Sequence, residues 1–168
     1  MAQRHDSIKD LFVSLLDRVC KGVKSEPHLI ALDNETFHLK TTNTSDEARL
    51  DIKANGFWRK GQNAFFDIRV THVNSATNKG QSTVDIFRNH ENAKKREYLK
   101  RVLEIEHATF TPLVMGSNGG MGNECQQFIS HLADLLAEKE GEEYNTVISW
   151  VRIKLSFEIL RSALLCVR

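Results

Sequence analysis

A chain of 168 residues, 40% of them hydrophobic, suffices for one well-packed domain and is too short for two. Lys and Arg number 23 against 22 Asp and Glu, so the net charge of +1 names no partner, and any nucleic-acid contact must be a local basic patch. Cys20, Cys125 and Cys166 are scattered, odd in number and without CxxC spacing, which excludes a disulfide framework and points to reduced thiols in an intracellular protein, nuclear or cytoplasmic.

The opening MAQRHDSIKD is polar and unlike a secretory signal. From Ile8 the apolar residues recur as Leu11, Phe12, Leu15, Leu16, Val19 and Val23, the stripe of an amphipathic helix, with Asp6 or Ser7 placed to cap its start. HLIAL after Pro27 reads as a strand, and DNETFHLKTTNTSDEA as a polar connection. ARLDIKA and AFFDIRVTH then alternate as two strands around a turn containing Gly56 and Gly61. Asn74 to Ser82 is turn-rich, Asp85 to Glu106 is a long helix, and ATFTPLVMG is a further strand. After the GSNGGMGNE loop comes a helix with the stripe Phe128, Ile129, Leu132, Leu135 and Leu136, ending near Gly141. The last helix, from about Asn145, is apolar nearly all round and is predicted to be sandwiched; Arg152, Lys154, Glu158 and Arg161 make it a poor membrane span. This order predicts a single α/β domain with a mixed sheet covered by helices.

Chemistry concentrates on the two central strands. In AFFDIRVTH, Phe66, Ile68 and Val70 share one face and Phe65, Asp67, Arg69 and Thr71 the other; in ARLDIKA, Leu50 and Ile52 oppose Asp51 and Lys53. An antiparallel pairing that centres the turn on Arg59 sets Asp51 across from Asp67. Two readings fit that spacing. Each aspartate forms a solvated pair with the cation two residues on, or the carboxylates share a divalent cation such as Mg²⁺, which needs only one or two protein carboxylates, with Arg69 or Lys53 beside it.

On the long helix, at about 100° per residue, Glu91, Lys94 and Lys95 lie on the stripe that Tyr98, Val102 and Ile105 make apolar further on. Either the first two turns overhang the sheet as a solvated Glu91–Lys95 pair, or a lysine reaches the polar cleft. His5 lies near the edge of the first helix's apolar stripe and is placed to approach the same cleft, whereas His72, His90 and His107 have no metal-ligand spacing. Gly119, Gly120 and Gly122 are either a plain connection or a cradle for a DNA phosphate at the next helix N-terminus.

A helix, a strand with Asp51, a strand with Asp67-Ile68-Arg69, a basic helix and a further strand together resemble the PD-(D/E)XK, or restriction-endonuclease-like, nuclease superfamily. RLDIKANGFW, AFFDIRVTHVN, ENAKKREYLKRVLEIEHATFTPLV and GGMG are also similar to domains predicted beside reverse transcriptases in invertebrate transposable elements, over nearly the whole chain. The resemblance implies a restriction-endonuclease-like core with extra C-terminal helices. It implies a Mg²⁺- or Mn²⁺-dependent endonuclease that nicks DNA for a mobile element, with an adjoining reverse transcriptase domain as partner. Asp51 and Asp67 then match the acidic metal-binding positions, and Ile68 offers a backbone carbonyl to the metal. Arg69 stands where the family usually has lysine, and arginine cannot serve as a base by losing a proton. Lys94 or Lys95 from the helix, or Lys53 from the neighbouring strand, then replaces that lysine, or the domain binds nucleic acid without cutting it. A third reading is a protein-interaction domain.

Overall fold

The computed structural model describes residues 2–30 and 49–165. Helix α1 spans Ala2–Val19, β1 Lys21–Ser25, β2 Ile52–Asn55, β3 Asn63–Thr71, α2 Thr83–Glu104, β4 Thr109–Gly116, α3 Asn123–Glu140 and α4 Tyr144–Leu165. The strands form one sheet in the order β1-β2-β3-β4, antiparallel up to β3 and parallel between β3 and β4, so the expected mixed sheet flanked by helices is present. The polar connection and the end of HLIAL fall in 31–48, outside the described residues, as does Cys166; Cys20 and Cys125 are free thiols.

The β2–β3 hairpin turns where Gly56 and Gly61 adopt left-handed φ of 85° and 78°, conformations that glycine enters without a Cβ penalty. The pairs Ile52–Phe66 and Asn55–Asn63 give the register centred on Arg59. Helix α2 returns the chain so that β4 runs parallel to β3, and Pro112, lacking an N–H, is tolerated opposite Asp67 because β4 is an edge strand.

The two sheet faces bury very different cores. On one side Ile52, Ala54, Phe66 and Ile68 pack with Phe12 of α1, Phe128 and Leu132 of α3, and Val151 and Leu155 of α4. Phe12, Phe57, Phe66 and Phe128 form a connected ring cluster with centroids 4.9–5.3 Å apart, and such pairs add about 0.5–1.5 kcal/mol each beyond area burial. On the other side Leu50, Phe65 and Phe110 form a smaller cluster with Leu29, Ala108 and, from α2, Tyr98, Val102 and the partly buried Leu99.

Several sequence expectations change. The first helix ends at Val19 and Val23 belongs to β1, a polar edge strand that alternation does not reveal, with irregular register between Lys21 and Lys24. The helix begins at Ala2, so Asp6 and Ser7 lie inside it, and Asp6 accepts from Lys9 Nζ at 3.2 Å instead of capping. His28–Arg49 is an isolated bridge where a strand was expected over HLIAL. The chain bends at Asp51, which sends Leu50 and Ile52 into opposite cores instead of one. The first turns of α2 are not solvated, since Ile86, Phe87 and Glu91 are buried. Helix α4 is not sandwiched: Val147, Val151, Leu155 and Ile159 are buried while Ile153, Phe157 and Leu160 face outward at 55%, 66% and 60% exposure. Among the described residues no helix is long and apolar enough to cross a membrane.

Candidate active site

Continuing the hairpin register one step past Ile52–Phe66 reaches Asp51 and Asp67. Asp51 N donates to Phe66 O at 3.2 Å, and Ile68 N donates to Asp51 Oδ2 at 2.6 Å, so the bend turns this carboxylate back onto β3. From the other side His5 of α1 brings Nε2 to 2.9 Å from the same oxygen. The Asp51 contact raises the imidazole pKa despite partial burial, favouring an imidazolium.

Asp67 projects from β3 towards α2 and is 6% exposed. Burial first, then the charge of Asp51, push its carboxyl up to about 6; the Lys94 ammonium opposes both. The Asp51 carboxylate also lies within side-chain hydrogen-bonding reach of Asp67, so the two acids converge. Lys94 Nζ stands 2.8 Å from Asp67 Oδ2, an ion-pair distance, but off the line a hydrogen bond needs. That buried oxygen therefore accepts no well-aligned hydrogen bond.

The remaining expected site residues separate around this pair. Lys95, next to Lys94 but turned about 100° away, pairs with Glu124 of α3. Glu91 does not pair with Lys95; its Oε1 accepts from Glu124 N at 2.9 Å and occupies the N-terminal turn of α3. Burial raises its carboxyl pKa, which the hydrogen bond from that N–H opposes. Gly119 N donates to Gly116 O at 3.0 Å, Gly120 N to Asn118 Oδ1 at 3.1 Å and Gly122 N to Val114 O at 2.8 Å, so these three N–H groups are committed to internal acceptors and the helix end already holds a carboxylate. The glycine loop is thus a tight connection, and a Cβ at Gly122 would collide with the Glu91 carboxylate. Lys53 lies on the α2 side with Nζ 5.6 Å from the Phe65 ring centre. Arg69 is exposed on that same side, and its charge, after burial, lowers the pKa of His90, whose Nε2 lies 3.2 Å from Thr71 Oγ1.

Two residues near the carboxylates escaped sequence reading. Lys9, buried on α1, reaches Glu26 Oε1 at 3.0 Å and Asp6 Oδ1 at 3.2 Å. Glu26 in turn has a φ of 52° and donates its N–H to Asp51 O at 2.7 Å. A lysine beside the apolar stripe of the first helix was the only signal, and Glu26 had none.

Among the described residues no group of three or more His, Cys, Asp or Glu side chains is placed to hold a metal ion. The donor set instead suits an open site for a hard cation: two converging carboxylates, one carrying a buried oxygen without an aligned donor. Asp51 and Asp67 are the residues that would hold it; Lys94 contacts the buried Oδ2 of Asp67 and His5 contacts Oδ2 of Asp51, so one oxygen of each carboxylate already has a cationic neighbour. No protein-family model and no curated protein matches the chain.

Proposed function

We propose that the chain is a Mg²⁺- or Mn²⁺-dependent deoxyribonuclease on a restriction-endonuclease-like core, an endonuclease that nicks DNA for a mobile element. The observation that supports this reading is the convergence of Asp51 and Asp67 with Lys94 at 2.8 Å from the buried oxygen. A divalent cation held by Asp51 and Asp67 would supply Lewis-acid stabilisation of the phosphate and lower the pKa of a water. Lys94 takes the place of the lysine that Arg69 does not provide: its ammonium donates to a phosphate oxygen and stabilises the charge that develops there. Arg69, always charged and exposed on the same face, holds a neighbouring phosphate. His5 and the Ile68 N–H hold Asp51 in one orientation through its Oδ2.

Lys94 also neutralises Asp67 without any metal, and that contact favours a second reading, a nucleic-acid-binding module on the same fold that does not cut. Nicking of supercoiled plasmid in Mg²⁺ or Mn²⁺ separates the two. Wild type is expected to cut, Asp67→Ala and Lys94→Ala to lose at least about a hundredfold in rate, and Lys95→Ala to keep its activity. Thermal melting of each variant establishes folding. Cutting that survives in folded Asp67→Ala overturns the metal assignment. Salt-sensitive DNA binding without cutting under either metal supports the second reading.

A further inference from the structure

The tip of the β2–β3 hairpin carries an aromatic platform that the carboxylate site does not use. Trp58 and His131 of α3 stack with ring centres 5.0 Å apart and planes 18° from parallel. Phe57, fully buried, meets both rings edge-on, with centroids 4.6 Å from Trp58 and 4.9 Å from His131. His131 Nε2–H donates to Phe57 O at 2.6 Å and sets the imidazole orientation. The platform is therefore held before any ligand arrives, which lowers the ordering cost of binding.

Trp58 and His131 line an open groove of about 730 Å³ together with Tyr144 and the polar Gln126, Gln127 and Asp134. It follows the outer side of α3 from Asn123 to Asp134, roughly 16 Å at the rise of a helix. Directly after Trp58 come Arg59 and Lys60, both exposed and without an ion pair or side-chain hydrogen bond among the described residues. A flat stacking surface calls for a planar ring, the Gln127 amide and Asp134 carboxylate suit a ring edge bearing donors and acceptors, with Gln126 Nε2 already committed to Met121 O at 3.0 Å, and the cations call for an anion bonded to that ring. A nucleotide unit combines all three, and the length of the groove exceeds one such unit.

We infer that this groove binds single-stranded nucleic acid, with a base stacked on the Trp58–His131 platform and phosphates on Arg59 and Lys60. The last pair of the hairpin ladder, Asn55–Asn63, lies four residues along both strands from Asp51 and Asp67, roughly 13 Å at a strand's rise per residue, and Trp58 lies beyond it in the turn. The groove is independent of the cation reading of those carboxylates. Being nearly flat-sided and open, it stacks any base and reads little sequence.

The test is fluorescence anisotropy of a labelled oligothymidylate in EDTA, where no cutting interferes. Wild type is expected to bind in a salt-dependent manner. Trp58→Ala should weaken binding about tenfold, while Trp58→Phe, which keeps a ring and the fold, should lose no more than about threefold. Replacing both Arg59 and Lys60 by Ala should flatten the slope of log affinity against log salt by about 1.4. Because the assay runs without divalent metal and reads the groove alone, failure of the nuclease reading leaves this result standing. In a Trp150→Phe background, oligonucleotide should quench the Trp58 emission. Equal affinity of wild type and Trp58→Ala, absence of quenching, or binding of free thymidine monophosphate as tight as that of the oligonucleotide overturns the proposal.

Discussion

The two faces of the sheet are built from the same strand and obey different physics. Phe66 and Ile68 of β3 enter a core shared by α1, α3 and α4, in which the largest side chains are fully buried. Phe65 and Asp67, alternating with them, face α2, where Tyr98, Val102 and the partly buried Leu99 join the apolar cluster and Lys94 pairs with Asp67. The first face supplies cohesion by burial and ring packing. The second tolerates a carboxyl whose ionisation burial disfavours because the first holds the strand in place.

The largest effect that tests this contrast belongs to the apolar face. Phe128→Ala removes the ring in contact with Phe12, Phe57 and Phe66 and should cost about 3–5 kcal/mol in urea unfolding. A loss below about 1 kcal/mol would mean that this core collapses around the gap and is not the scaffold. On the α2 face, Lys94→Met leaves the buried Asp67 carboxylate uncompensated and should cost about 2 kcal/mol near neutral pH. Lys95→Ala, whose pair with Glu124 is partly solvated, should cost less than about 1 kcal/mol. Equal losses for the two lysines would show that the cleft does not distinguish them.

The same face should also show a dependence on pH. Asp67 sits at about 6 in the fold against an ordinary 3.8. The folded state therefore binds its proton more tightly than the unfolded chain does, and the associated stability is present at low pH and lost as pH rises from about 4 through about 6. In metal-free buffer the stability of wild type minus that of Asp67→Asn should fall across this window by about 1–3 kcal/mol. Mg²⁺ added above the window should recover part of the loss. A difference that stays flat with pH would contradict the burial and repulsion assigned to this carboxyl.

Much of this arrangement was legible in the chain. Alternation placed Phe66 and Ile68 opposite Phe65 and Asp67, and the glycines flanking Arg59 set the hairpin register that brings Asp51 to Asp67. The helices from Asp85 and towards Gly141 read correctly because their stripes are long and their ends are marked, the latter by Gly141 at a φ of 68°. Strand β1 was not legible, because KGVKS is a polar edge strand whose one apolar residue, the partly buried Val23, falls in step with the stripe of the preceding helix.

The sequence by itself determined the period of the long helices and of β3, and with it which of their residues share a face, since side-chain direction follows local backbone geometry. Only the tertiary structure decided what each face meets. Lys94 and Lys95 are neighbours about 100° apart on one helix, and the rotation of α2 against the sheet sends the first to Asp67 and the second to Glu124. The same holds for Glu91, which occupies the N-terminal turn of α3, and for α4, where packing against α1 and α3 covers one side of an apolar helix and leaves Phe157 open. Period is a local property of a few residues, whereas the choice of partner depends on how distant segments pack.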